Sequence, residues 1–293
     1  RRQGTYTYVP SSKIYNKLNS EVSMKKLTYL LIALLVLFLS FNSYAHNGII
    51  NKALSPAKAK KIPVLLYHHI LKDEDIKANG WESNDSIISV ESFKEQMDYL
   101  HDNGYKTATL DELQGFIDET IELPKKTVVI TFDDGYLSNA VYAYPIMKEY
   151  GFKGTIFMRG DLSTQPQKAF DSKSLQFISV SESYKYIDVF EYGCHTFNLH
   201  FTDENNIPLL ISLPKDKIME DLKMNKELFN TKYIAYPFGK YNNDTLEYVK
   251  ELGYEMGFTG DYGYVSKDAS KLELPRIVIG PKTTIKQFKG ILN

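Results

Sequence analysis

The chain has 293 residues, 43% of them hydrophobic and 24% charged, and a formal net charge of -1 at pH 7. Such a composition belongs to a globular protein long enough for one large core, and the near-zero charge excludes a general electrostatic attraction to nucleic acid. One cysteine, Cys194, excludes an internal disulfide and any multi-cysteine zinc site, so a bound metal would have to be held by histidines and carboxylates.

In chain order, residues 1–23 are polar and read as upstream sequence. Met24-Lys25-Lys26, the apolar run Leu27–Leu39 and Ser43-Tyr44-Ala45 have the three-part layout of a secretory signal, with cleavage expected after Ala45. The apolar run is shorter than the ~20 residues a spanning helix needs; an uncleaved membrane anchor is the alternative. Either reading puts the remainder outside the cytoplasm, secreted or at the cell surface. Residues 46–61, rich in Ala and Lys, read as a linker, and the folded domain is expected over 62–293.

Ile62–Tyr67 is a short buried strand. Ser89 caps a helix whose Phe93, Met97 and Leu100 share one face, and Gly104 ends it. A strand over Tyr105–Leu110 and a short helix from Asp111 follow. Thr127–Phe132 is apolar or β-branched throughout, which predicts a strand buried on both faces. A helix over Ser138–Tyr150, closed by Gly151, leads to strands at Gly154–Met158 and Ile187–Tyr192, separated by a long loop over 159–186. Then come a helix at Lys215–Phe229, a strand at Tyr233–Tyr236, a helix at Asn242–Leu252, strands at Tyr254–Phe258 and Arg276–Ile279, and a short closing helix. Alternating strands and helices, with little sign of hairpins, predict a single α/β domain built as a distorted, TIM-like (β/α)7 barrel.

The chemistry-bearing residues gather at predicted strand ends, the active face of a parallel barrel. Asp133-Asp134-Gly135 follows the central strand, and Gly135 permits a sharp turn that brings both carboxylates to one cavity. Carboxylates this close do not ionise independently without a cation beside them. His195 and His200, five apart, share a target only if the segment between them bends, and Gly193 stands just before it. One carboxylate and two histidines leave coordination positions open, as catalytic metal sites do. Four of the six histidines, His68, His69, His195 and His200, fall at strand ends. Either His68 or His69 can face the barrel mouth as a general acid. In Tyr236-Pro237-Phe238-Gly239, Pro and Gly fix a rigid loop whose N–H groups can meet an oxyanion. Arg276, on a barrel strand, needs a carboxylate partner, for which Asp133 is the natural candidate. Cys194 reads as a buried thiol.

Together these residues resemble the polysaccharide deacetylases of carbohydrate esterase family 4, the NodB-homology family. Thr131–Gly135 matches its first motif, His195 and His200 its histidine motif, and Tyr236–Gly239 its third, over a similarity running from Ile62 onward. The five-residue histidine interval, Tyr236 in place of an arginine, the lack of an Asp-x-x-Asp-Trp motif and Ile279-Gly280 where a late histidine is usual depart from the common pattern. All four departures resemble the branch that deacetylates poly-β-1,6-N-acetylglucosamine, where the acid comes from an early Tyr-His pair, here Tyr67-His68. The resemblance implies a divalent metal, zinc by preference, on Asp134, His195 and His200. It implies Asp133 as general base held by Arg276, the Tyr236 N–H as oxyanion donor, Tyr236, Pro237 and Phe238 against the substrate, and His68 as acid with His69 as its rival. An N-acetylglucosamine polysaccharide is the implied partner. The alternatives are a deacetylase of peptidoglycan or chitin-type β-1,4 polymers, a glycosidase using Asp133 and Asp134 as its acid/base pair, and a non-catalytic surface protein that binds glycans.

Overall fold

A computed structural model describes residues 57–292. The signal-like segment and most of the linker lie outside the described residues. Among the described residues there are twelve strands: β1 (Lys61–Ile62), β2 (Val64–Tyr67), β3 (His69–Leu71), β4 (Ile87–Ser89), β5 (Lys106–Thr107), β6 (Thr127–Phe132), β7 (Gly154–Met158), β8 (Phe190–Cys194), β9 (Tyr233–Ala235), β10 (Met256–Phe258), β11 (Val265–Ser266) and β12 (Ile277–Val278). Seven form one curled path in the order β12-β2-β6-β7-β8-β9-β10, every pairing parallel, and β5 pairs with the first two residues of β6. This is the expected distorted (β/α)7 barrel.

The two ends of the path are joined by the segment that carries β12. Leu274 donates to the Gly257 carbonyl at 2.8 Å and accepts from the Thr259 N–H at 2.9 Å, so it adds to β10. Three residues later, at Ile277, the same segment pairs with β2, and the Ile279 N–H donates to the Leu66 carbonyl at 2.9 Å. Central β6 is buried at all six positions, as a parallel strand covered on both faces must be. The rings of Tyr67, Phe93 and Phe132 pack with centroids 5.2–6.0 Å apart, and the Tyr67 hydroxyl donates to Gln96 at 2.7 Å, which satisfies a polar group in the core. The helix Val90–Asp102 is capped by Ser89 and buries Phe93, Met97 and Leu100.

Several local differences have physical causes. Pro63 lacks an N–H and separates β1 from β2. The helix read over Ser138–Tyr150 begins as a π-helix, Asn139–Ala143, and becomes α-helical over Tyr144–Glu149; Pro145 at that junction has no N–H for the regular ladder. The strand expected at Ile187–Tyr192 starts later, at Phe190, which sets His195 directly after its end. Segment 159–186 contains the short helices Gly160–Ser163 and Val180–Ser183. Its residue Gln176 accepts from the Leu137 N–H at 2.8 Å, and the Ile178 N–H donates to the Gly135 carbonyl at 2.9 Å, so it lies against the Asp133–Gly135 turn. Residues 57–61, read as linker, already join the folded body: the Ala59 N–H donates to the Leu123 carbonyl at 2.8 Å, and β1 pairs with β11.

Candidate metal and catalytic site

The site lies at the C-terminal ends of β2, β6, β8 and β9. After Phe132 the ladder runs one residue further, the Asp133 N–H donating to the Tyr67 carbonyl at 3.0 Å. The backbone then turns through two left-handed residues, Asp134 at φ 72° and Gly135 at φ 78°. A Cβ on Gly135 would sit 2.9 Å from the Met158 sulfur, so glycine is needed there for space as well as for φ. Asp134 holds a conformation that L-residues avoid at a cost of about 1–3 kcal/mol, the kind of strain that gathers at functional sites.

Asp133 and Arg276, both almost fully buried, form a two-pronged ion pair, Nη1–Oδ1 and Nη2–Oδ2 each at 2.7 Å. Arg276 Nε also donates to the Thr259 carbonyl at 2.9 Å. Burial by itself would raise the Asp133 carboxyl, but the guanidinium overrides it and holds the group well below the usual carboxylate range. Asp133 is therefore ionised at any physiological pH.

Asp134 turns the other way. Its Oδ1 lies 3.3 Å from His200 Nε2 and 3.7 Å from His195 Nε2, and one ligand atom from each of the three residues falls within 4.8 Å of the others. His195 Nδ1 is 2.8 Å from the Ala235 carbonyl, so that nitrogen carries the proton and the Nε2 lone pair faces the cluster. Burial, aided by His195, brings His200 down to about 4, leaving its imidazole neutral. Asp134 Oδ1 is buried and, among the described residues, has no hydrogen-bond partner. An orphaned carboxylate oxygen facing two imidazole nitrogens is an N2O donor set of the kind divalent metals such as zinc take, so the residues fit the implied metal.

His68, half-buried between β2 and β3, feels the charges of Asp133, Asp134, Arg276 and His195; burial lowers its pKa, and the two carboxylates oppose that. His69 is engaged in packing. Its Nδ1 is 2.7 Å from Ser138 Oγ, and its ring stacks on Tyr136 at 4.7 Å.

One expectation is corrected. The Tyr236 N–H is not available to an oxyanion, because it donates to the Phe258 carbonyl at 3.0 Å in the β9–β10 ladder. The Tyr236 side chain does not face substrate either: it is buried, and its hydroxyl donates to the Leu272 carbonyl at 2.8 Å. Pro237 is also buried and has no N–H to offer. Phe238 does face the site. It is left-handed at φ 59°, 49% exposed, and its ring lies 4.4 Å from that of His200. Among the described residues no group accepts from its N–H.

Three neighbours were not singled out from the sequence: Tyr136, Arg159 and Phe201. Tyr136 stacks on Phe177 as well as on His69, and Arg159 lies 5.2 Å over the Phe201 ring, which is 48% exposed. Arg159 directly follows β7, Phe201 directly follows His200, and Tyr136 comes two residues after Asp134; that proximity was the signal available.

The family described as Polysaccharide deacetylase matches residues 120–257. Over 230 residues the chain is 31% identical to YxkH of Bacillus subtilis (strain 168), whose name places it among polysaccharide deacetylases; the match covers 76% of this chain and 73% of that protein. A poly-beta-1,6-N-acetyl-D-glucosamine N-deacetylase of Staphylococcus epidermidis is 26% identical, with 82% of this chain and 87% of the relative covered. Among solved structures, the Streptococcus pyogenes deacetylase PplD in complex with acetate matches with a TM-score of 0.68 and 27% identity, covering 82% of this chain and 100% of that one. IcaB from Ammonifex degensii matches at 0.66 and 25%, covering 81% and 99%.

Proposed function

The chain belongs to the polysaccharide deacetylase family, and from that premise we propose that it is a secreted, divalent-metal-dependent enzyme that removes N-acetyl groups from a β-1,6-linked N-acetylglucosamine polymer. The observation that carries the metal-dependent reading is the partnerless Asp134 Oδ1 facing the Nε2 atoms of His195 and His200. A cation bound there would polarise the acetamide carbonyl and lower the pKa of water to ~7. Asp133, kept ionised and aimed by Arg276, takes the proton of the attacking water as its oxygen bonds to the carbonyl carbon. The Phe238 N–H donates to the developing oxyanion. As the C–N bond breaks, His68 gives a proton to the departing sugar amine, and the products are acetate and a free glucosamine unit.

The choice of a β-1,6 polymer rests on the five-residue interval from His195 to His200, on the Tyr67-His68 pair, and on the substrate named for the staphylococcal relative. A glycosidase is disfavoured, because its two carboxyls must flank the scissile bond from both sides ~5–9.5 Å apart, a placement that adjacent residues such as Asp133 and Asp134 seldom provide. The deciding experiment is acetate release from poly-β-1,6-N-acetylglucosamine and from peptidoglycan, with and without chelator. Release from the first polymer alone, abolished by chelation and restored by added metal, is the expected result. Release from peptidoglycan alone would move the substrate to the β-1,4 class, and binding without release would leave a glycan-binding protein. Secretion rests on Met24–Ala45, outside the described residues; among those described no helix is long and apolar enough to cross a membrane. Sequencing the N-terminus of protein from the culture medium tests it, with His46 the expected first residue.

A further inference from the structure

His195 and His200 converge only because the five-residue interval between them bends, and the bend is held from outside. Thr196 is left-handed at φ 64°. On one side, the Thr196 and Phe197 carbonyls accept from the Gly160 N–H at 3.2 Å and the Asp161 N–H at 2.8 Å. Gly160 is a seat for this bend, since a Cβ there would come within 2.3 Å of the Phe197 ring. On the other side, the two oxygens of one carboxylate take the next two amides: Phe197 N–H to Asp221 Oδ1 at 2.7 Å and Asn198 N–H to Asp221 Oδ2 at 2.6 Å. Asp221 projects from the buried face of the helix Lys215–Phe229, alongside Ile218, Leu222 and Asn225. One turn further on, Asn225 Nδ2 donates to the Met158 carbonyl at 3.1 Å, which ties the helix to the end of β7. Burial pushes the Asp221 carboxyl up to about 6, so at neutral pH it is ionised and both amide bonds are charge-assisted.

We propose that Asp221 is a positioning residue for the metal site, clamping the Phe197 and Asn198 amides so that His195 and His200 present their nitrogens to the same point as Asp134. It touches neither substrate nor the reacting atoms. The inference deepens the metal-dependent reading above and rests on it. The argument is one of preorganisation. Without the carboxylate, two adjacent N–H groups and a strained φ lose their restraint, and a divalent ion must then supply the cost of ordering the loop. Outer-shell partners that orient metal ligands are typically worth 10- to 100-fold in affinity.

The experiment uses metal-stripped full-length protein and measures Zn2+ affinity by competition with a chromogenic chelator, alongside thermal unfolding of the apo form. Asp221→Asn keeps the shape but presents one NH2 group where an acceptor was. The expected result is a 10- to 100-fold weaker Zn2+ affinity with an apo unfolding transition that remains cooperative, and partial recovery in Asp221→Glu. Leu222→Ala, on the same buried helix face, serves as the structural comparison: it lowers the apo unfolding temperature and leaves the affinity of the folded protein unchanged. Unchanged affinity in Asp221→Asn, while the wild-type protein binds tightly, overturns the clamp and leaves the metal site standing. Absence of Zn2+ binding by the wild-type protein overturns the metal site and the clamp with it.

Discussion

At the scale of single residues, two adjacent aspartates do opposite work because their oxygens meet different neighbours. Asp134→Ala, His195→Ala and His200→Ala each remove a donor, and elemental analysis of the purified variants is expected to show substoichiometric metal together with lost activity. Asp133→Asn leaves the donors in place, so normal metal content and a loss of turnover are expected. Arg276→Ala strands a buried carboxylate, and breaking such a pair from one side costs about 3–5 kcal/mol, to be read from the urea midpoint. The ion pair also predicts an acid limit. Asp133 stays ionised in the folded protein at pH values where an unfolded aspartate, with its ordinary value of 3.8, takes up a proton. Below about pH 4 the unfolded chain therefore binds more protons, and the pair's contribution, full at neutral pH, drains away as the pH falls. Urea midpoints of wild type and Asp133→Asn are expected to hold a constant gap from pH 7 to 5 and to approach each other below 4. His68→Ala should lose turnover and keep metal; His69→Ala should lower stability, since Ser138 Oγ loses a buried partner. The reverse pattern would transfer the acid role to His69.

At the scale of elements, the site consists of strand ends followed by backbone that an ordinary residue resists. Asp134, Thr196 and Phe238, all left-handed, follow β6, β8 and β9. Phe238 offers a separable test, because its backbone and its ring have different tasks. Phe238→Gly tolerates φ 59° and loses the ring, so KM is expected to rise more than kcat falls. Phe238→Val resists that φ and displaces the N–H, so kcat is expected to fall by 10-fold or more, about 1.4 kcal/mol of transition-state stabilisation; equal kinetics in the two variants would remove the N–H from the mechanism. The same elements show what a sequence can disclose. Thr127–Phe132 was legible to the residue because a strand buried on both faces is apolar or β-branched throughout, and Lys215–Phe229 because its apolar spacing is helical. The Asp133–Arg276 pair was legible because a buried guanidinium demands a carboxylate. The fate of the Tyr236 N–H was not, since only the β9–β10 register shows that Phe258 takes it. Asp221 was hidden among the charges of a helix where most acidic residues face water; nothing in its spacing shows that its carboxylate turns inward to a loop more than twenty positions earlier.

At the scale of the whole molecule, the sheet becomes a barrel only through Leu274–Ile279, which bonds to β10 on one side and β2 on the other. Without that segment both strands have open edges, which invite pairing with other chains. A chain ended after Glu273 is therefore expected to lose its cooperative unfolding transition and its metal binding together, and to aggregate on concentration; a soluble, metal-loaded product would show that closure is dispensable. The closing segment also carries Arg276, which gives the architecture a direction in time. Asp133 leaves the ribosome 143 positions before the guanidinium that neutralises it, and until that late stretch arrives its charge has no partner to offset burial. Closure and neutralisation therefore arrive together: the stretch that seals the wall is the one that brings Asp133 its counter-ion.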